Sequence, residues 1–361
     1  MTKNKPVVTG GVDTHADTHT AAVIDEVGRL LDCRQFPADP AGYRRLLTWM
    51  RRHGQLVRVG VEGTGSYGAG LARHLHGAGV LVIEVDRPDR KARRTRGKSD
   101  PVDAEAAARA VLSGRATGLP KSRDGIVESI RTLRATRTGA VKARIAAHNA
   151  LISLSRTAPE PLRSQFAPLK GQHLVAAAAV LRPGPDIADV LAATKTALRR
   201  LARRCQHLAL EIHEADHELE ALTRIAAPDL LARPGVGPEV TAQLLTTAGD
   251  NPDRLRSEAA FALLCGASPL LASSGRTDRH RLNRGGDRHA NSALHTVVLS
   301  RMRHHQPTKD YVARRTAQGL SKREIMRCLK RYVARELFPL ILLALGSPTI
   351  APDARAQLRA A

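Results

Sequence analysis

Residues 7–13 (Val-Val-Thr-Gly-Gly-Val-Asp) and 19–25 (His-Thr-Ala-Ala-Val-Ile-Asp) carry short, nearly continuous apolar runs, and Glu26-Val27-Gly28 reads as a hairpin turn into residues 29–36. Together they predict three strands in a meander. Apolar positions at helical spacing follow from Ala41 to His53. Next come a predicted strand (Val57 to Val61), a glycine-rich turn, a helix (Tyr67 to Gly77) and a strand (Val80 to Val85). After Pro88 the pattern changes. Residues 89–98 are a basic run, and 101–113 reads as a helix with Pro101 in its first turn. Two long amphipathic stretches, Gly125 to Arg156 and Asp186 to Ile225, flank a proline-punctuated connection from Pro159 to Pro185. A second compact unit starts near Pro228, with a helix from Glu239 to Ala248 and further basic helix from Ala290 to Leu345. The tail from Ser347 is rich in proline and alanine.

Three meandering strands followed by helix–strand–helix–strand is the element order of an RNase H-like fold, a mixed sheet with helices on its faces. The expected organisation is an α/β RNase H-like domain over 1–118 and a long-helix, coiled-coil arm over 119–227. A mostly α-helical domain with a helix–hairpin–helix follows over 228–346, then a flexible tail over 347–361. A compact helical bundle is the alternative for the middle region.

Charge narrows the partners. The 361 residues hold 57 Lys and Arg against 34 Asp and Glu, a formal charge of +23. A balance that basic points to a polyanion, nucleic acid first and an anionic membrane surface second. Against a membrane, the longest apolar run, Leu337 to Leu345, is interrupted by Pro339 and is too short to span a bilayer. The N-terminal residues lack the apolar core of a signal peptide, so the expected location is the cytoplasm. Aromatic residues make up only 2%, which argues against single-strand binding on an array of stacking platforms. Cys33, Cys205, Cys265 and Cys328 are far apart with no C-x-x-C pair, so neither a zinc site nor a disulfide framework is read.

Candidate chemistry lies in four carboxylates, Asp13, Glu62, Asp100 and Asp103. Asp13 and Glu62 fall at the ends of strands that neighbour one another in an RNase H-like sheet. Asp100 and Asp103, three apart at a helix start, share a face. Grouped carboxylates repel unless a cation neutralises them. Two Mg²⁺ ions roughly 3.5–4 Å apart would do so and would clamp a phosphodiester. Solvated surface acids, with helix-start acids favouring the helix dipole, are the alternative. Two decoys sit nearby. The alternation Asp13-x-His15-x-Asp17-x-His19 would form a transition-metal face on one continuous strand, but a turn at Ala16-Asp17-Thr18 breaks that face. Gly63-Thr64-Gly65-Ser66-Tyr67-Gly68 spells a dinucleotide fingerprint. Glu62 would set a carboxylate beside the pyrophosphate, and the later chain lacks the strands to finish a doubly wound sheet. The glycines better serve close approach of nucleic acid or metal to Glu62. No G-x-x-x-x-G-K-[ST] is present, so no ATP-driven step is indicated.

Downstream, Arg233-Pro234-Gly235-Val236-Gly237-Pro238 looks like a helix–hairpin–helix turn, in which Gly235 and Gly237 would turn backbone N–H groups to a phosphate. An ordinary Gly-Pro interhelix turn is the alternative. Beyond it, Ser273-Ser274-Gly275 lies among basic residues, of which Arg276, Arg279, Arg281 and Arg284 would suit phosphate contact.

Taken in order, five segments resemble the IS110-family transposases. Gly11-Val12-Asp13-Thr14-His15 looks like the family's opening strand, and Glu62-Gly63-Thr64-Gly65 like its Glu-x-Thr-Gly segment. Lys98-Ser99-Asp100-Pro101-Val102-Asp103-Ala104 looks like its Lys-Ser-Asp-x-x-Asp-Ala element. The Pro-Gly-Val-Gly turn and the Ser-Gly segment with Asn283-Arg284-Gly285-Gly286 look like its C-terminal transposase domain. The resemblance implies a RuvC-like domain holding Mg²⁺ on Asp13, Glu62, Asp100 and Asp103. It implies a serine nucleophile, assigned by position to Ser274 with Ser273 adjacent, that links transiently to DNA. It also implies a homo-oligomer, dimer or tetramer, acting on donor and target DNA with a non-coding guide RNA. Two other classes compete: a metal-dependent structure-specific endonuclease such as a Holliday-junction resolvase, which needs no Ser274, and a non-catalytic architectural protein, which needs no carboxylate set.

Overall fold

The computed structural model describes residues 5–85, 99–271, 275, 280, 281 and 283–346. The chain packs as two units, Met1–Asp124 with Ala248–Arg256, and Gly125–Thr247 with Ser257–Ala361.

The first unit is built on a five-stranded sheet of β1 (Val7–Thr14), β2 (Thr18–Ile24), β3 (Leu30–Pro37), β4 (Gln55–Glu62) and β5 (Leu81–Val85), in the order β3-β2-β1-β4-β5. β2 runs antiparallel to both β1 and β3, while β4 runs parallel to β1 and β5. This mixed α/β arrangement is consistent with an RNase H-like domain. β1 is buried along nearly its whole length, as its unbroken Val/Thr/Gly run requires of a central strand. One face of the sheet is covered by α1 (Pro40–Arg52) and α2 (Ala69–Gly77), where Leu46, Met50, Leu71 and Leu75 meet Val12 and Val61. Asp39 caps α1, its carboxylate accepting the Gly42 N–H at 2.6 Å, with Pro40 in the first turn.

The other face carries α3 (Asp100–Leu112), whose side toward the sheet is Ala104, Ala107, Ala108 and Val111. Small residues on the helix meet glycine on the strand. A Cβ on Gly11 would stand 2.2 Å from the Ala104 carbonyl oxygen and 2.3 Å from the Ala108 nitrogen. Only a residue with no side chain lets α3 lie this close to β1. That closeness carries the first turn of α3 to the end of β1.

The second unit opens with α4 (Ile126–Arg156) and α7 (Val190–Ala226). Arg137 pairs with Asp216, and Leu151 shares a core with Leu198 and Ala202, so the two helices run antiparallel. Between them in sequence lie α5 (Leu162–Phe166) and α6 (Gly171–Ala179), in the stretch expected to be only a connection. Leu162, Phe166, Leu174 and Ala178 are buried against Leu151 and Leu198. Helices of five and nine residues are too short for periodicity to declare them, and burial of those side chains holds them in place. The rest of the unit comprises α8 (Pro228–Leu231), α9 (Pro238–Ala248), α10 (Glu258–Leu264), α11 (Arg288–His304), α12 (Gln306–Ala317) and α13 (Lys322–Gly346), with a two-stranded ladder of β6 (Leu270–Leu271) and β7 (His280–Arg281). α13 runs through Pro339. Among the described residues no helix is long and apolar enough to cross a membrane.

Candidate active site

β1 delivers Asp13 to one edge of the sheet, one residue beyond the Val12–Val61 pair, and Glu62 closes β4 on the neighbouring strand. The Thr14 hydroxyl donates to the Glu62 carbonyl at 2.8 Å and ties the two strand ends together. Asp100 and Asp103 occupy the first turn of α3, where carboxylates suit the helix dipole. Asp103 is buried and Asp100 half-exposed.

One further side chain joins them. β1 stops at Thr14 and β2 starts at Thr18, so the Asp13–His19 alternation is broken by a turn. His19 is buried instead, stacked on Tyr43 at 5.6 Å between ring centroids. His15, at the start of the turn, places Nε2 3.2 Å from Asp13 Oδ2 and 3.4 Å from Asp100 Oδ1. Asp13, His15 and Asp100 thus bring one ligand atom each within 4.8 Å of one another, and among the described residues they form the one such group. Burial raises the Asp13 carboxyl above its ordinary value; His15 opposes the rise, and the charges of Asp100 and Asp103 add to it. Asp100 and Asp103 therefore both act on Asp13 across this edge, with an imidazole between Asp13 and Asp100. Two carboxylate oxygens and an imidazole nitrogen are ligands that divalent cations take, so the donor set fits such an ion. His15 was visible in the sequence only as part of an alternation that pointed to another arrangement.

The glycine-rich turn after Glu62 is anchored from behind. The Thr64 hydroxyl donates to Glu84 Oε1, and Glu84 Oε2 lies 3.5 Å from Arg254. Arg254 also donates from Nε to the Leu119 carbonyl at 2.8 Å and from Nη1 to the Ala248 carbonyl at 3.0 Å. Asn251 and Arg256 donate to the carbonyls of Pro120 and Thr117. A segment more than 180 residues beyond Glu62 in sequence thus belongs to the same unit as the carboxylates. The antiparallel β2, between β1 and β3, interrupts the sheet where a doubly wound dinucleotide domain needs parallel strands.

In the second unit, Gly235 adopts a positive φ of 75°, and a Cβ there would press on Ser300 and the Val297 carbonyl of α11. Close packing on α11 accounts for this glycine. Gly237 has open space around it. Arg301, itself buried, donates from Nε to the Pro234 carbonyl at 2.8 Å and holds the turn from α11. Arg281 and Arg284 are exposed, the first in β7. Ser274, Ser273, Arg276 and Arg279 lie outside the described residues, in the chain between β6 and β7. The base of that hairpin is fixed: Asn291 donates to the Cys265 and Gly266 carbonyls, and the buried Lys330 donates to Asn291 Oδ1 at 2.9 Å. The Asp287 N–H, after Gly285-Gly286, donates to the Leu264 carbonyl at 2.7 Å.

Comparison with known proteins identifies the class as transposase, an enzyme that acts on DNA. Residues 10–157 match the transposase model for the DEDD domain of IS110, and residues 228–313 match the model for transposases of the IS116/IS110/IS902 family. A Streptomyces coelicolor protein named for transposition of the IS117 mini-circle is 25% identical over 319 residues, covering 74% of this chain and 77% of the relative. The chain belongs to the IS110 family of transposases.

Proposed function

We propose that this transposase cuts and rejoins DNA with Asp13, Glu62, Asp100 and Asp103 as a Mg²⁺-binding set and Ser274 as the nucleophile. The observation that carries the reading is the meeting of Asp13 and Asp100 at one point, 3.2 and 3.4 Å from the same imidazole nitrogen. Side chains from a strand and from a helix some 87 residues later converge there, which a set of solvated surface acids has no reason to do. When bound, Mg²⁺ supplies charge neutralisation and polarises a phosphodiester oxygen.

The chain's own residues do the rest. In this reading Asp13 and Glu62, at the ends of adjacent strands, and Asp100 and Asp103, in the first turn of α3, each give a carboxylate to the ions. The Ser274 oxygen bonds to phosphorus while a deoxyribose oxygen leaves and takes up a proton. The number of phosphate ester bonds is unchanged, so attack of a deoxyribose hydroxyl on the phosphoserine rejoins DNA and frees the serine without ATP. A serine hydroxyl is a weak nucleophile near neutral pH and needs activation. Gly235, Gly237, Arg276, Arg279, Arg281 and Arg284 would contact phosphates, the first two through a helix–hairpin–helix turn. We further infer action as a homo-oligomer and a non-coding RNA that selects the DNA. The +23 charge is in keeping with both nucleic acids.

The test is a denaturing gel. Protein co-expressed with its flanking non-coding DNA is given donor and target DNA with Mg²⁺, and covalent protein–DNA adduct is scored. Adduct is expected in the wild type and in Ser273→Ala, and absent in Ser274→Ala and Asp13→Asn. Metal-dependent cleavage with no adduct in any lane would overturn the serine mechanism and favour a resolvase-like endonuclease.

A further inference from the structure

The charge of the α4–α7 pair is divided along its length. α7 carries Lys195, Arg199, Arg200, Arg203 and Arg204 in its first half and Glu211, Glu214, Asp216, Glu218 and Glu220 in its second. At the acidic end the basic residues of α4 are matched: Arg131 with Glu128, Arg134 with Glu239, Arg137 with Asp216. At the other end they are not. Residues 138–208 hold eleven Lys and Arg against three Asp and Glu. Those three acids are used locally. Glu160 binds Arg163 and Ser164, Asp186 accepts the Ala188 N–H, and Asp189 caps α7 by accepting the Ala192 N–H.

We propose that this outer half of the helix pair binds the phosphate backbone of duplex DNA. Arg200, Arg203, Arg204 and His207 fall at i, i+3, i+4 and i+7 and form one exposed face of α7. Arg144 and His148 of α4 line a groove of about 530 Å³ together with Cys205 and Gln206 of α7. Arg204 lies next in sequence to Cys205, so cations from both helices border this groove. Among the described residues no carboxylate lies within ion-pair distance of Arg144, Arg200, Arg203 or Arg204. Four long cations with no internal partner, on a rigid helix pair, repel one another unless an external polyanion neutralises them.

The composition of the region also bears on the class of nucleic acid. Its single Phe, Tyr or Trp, Phe166, is buried in the core between α5 and α4. With no exposed Phe, Tyr or Trp the surface lacks the large stacking platforms that unpaired bases favour, so it suits a double helix held through its phosphates. Duplex DNA is the polyanion on which this family acts. The proposal rests on that family membership and not on the metal or serine assignments, so it stands or falls separately from them.

The experiment uses the full chain and fluorescence anisotropy with a 30-bp mixed-sequence DNA duplex, from 50 to 300 mM KCl. Arg144→Gln/Arg200→Gln/Arg203→Gln/Arg204→Gln is expected to weaken binding at least tenfold at 150 mM. Its plot of log Kd against log salt is expected to be shallower by about 2 to 4, since each lost phosphate contact removes about 0.9. Arg200→Gln/Arg204→Gln, a smaller change in the same face, should give about half that slope change. Lysine at all four positions should keep the wild-type slope. An unchanged slope in both glutamine variants overturns the proposal, as does a loss confined to a 30-bp RNA duplex with DNA binding intact.

Discussion

Arg254 offers the sharpest test of how the first unit is held together. Replacing it by Met keeps most of the stem and removes the guanidinium. Three interactions go with it: the bonds to the Leu119 and Ala248 carbonyls at 2.8 and 3.0 Å, and the pairing with Glu84 at 3.5 Å. A hydrogen bond to a charged donor contributes about 1.5 kcal/mol or more when sheltered, and the looser ion pair adds up to about 1. Arg254 is only 17% exposed, so water compensates little. The Asn251 and Arg256 bonds and the buried Leu255 remain, so the net cost of opening the 248–256 segment should fall by about 3 kcal/mol. That is about two orders of magnitude in the opening equilibrium. Hydrogen exchange at single-residue resolution measures it. The Leu255 amide, bonded to the Pro252 carbonyl, and the Glu84 amide, bonded to Gly118 at 2.7 Å, should lose about 100-fold in protection. Distant amides such as Leu46 in α1 should not change. Because Glu84 also holds Thr64, the variant should need more Mg²⁺ for half-maximal DNA cleavage, and Arg254→Lys should recover part of that loss. Protection at Leu255 and Glu84 within threefold of wild type would refute the reasoning.

Three further outcomes follow from the packing. Gly11→Val forces α3 off β1, because the new Cβ meets backbone rather than a movable side chain; a loss of about 3 kcal/mol in denaturant unfolding is expected, with loss of metal-dependent cleavage. Arg301→Met breaks a bidentate pair with Glu336 (2.6 and 3.0 Å) and the bond to Pro234; with Glu336 partly exposed, about 3 kcal/mol and a fall of about 6–12 °C in the second unit's Tm are expected by calorimetry. Asp287, like Glu336 beside Arg301, contributes to the pH dependence. Burial alone would raise its carboxyl, but the Thr247 hydroxyl and the Ala290 and His289 N–H groups outweigh burial and hold it below the ordinary value. A depressed carboxyl stabilises the fold above its unfolded value, about 3.9, and that stability disappears as pH falls through the folded value. Asp287→Asn should therefore flatten the stability profile of the second unit between pH 5 and 2 while costing less at pH 7 than Asp287→Ala, which loses about 2 kcal/mol. Parallel profiles for wild type and Asp287→Asn would contradict the assignment.

The sequence by itself determined the strand meander, the helix–strand alternation after it, the two long helices and the basic surface. Period-2 and period-3.6 patterns and net charge are local or additive properties, and they survive without knowledge of contacts. It also marked Asp13, Glu62, Asp100 and Asp103, because strand ends and a helix start are local features. Tertiary structure alone decided the rest. α5 and α6 are helices because Phe166 and Leu174 find a core on Leu151 and Leu198, a gain no five- or nine-residue window contains. His15 meets Asp13 and Asp100 because Gly11 lets α3 lie on β1, a contact between residues about 90 positions apart. Arg254 reaches Glu84 only because the segment after α9 returns to the sheet unit. Local patterns fix which elements form, since each element's hydrogen bonds close within a few residues. Which side chains meet is set by how buried faces fit together, and that is a property of the folded whole.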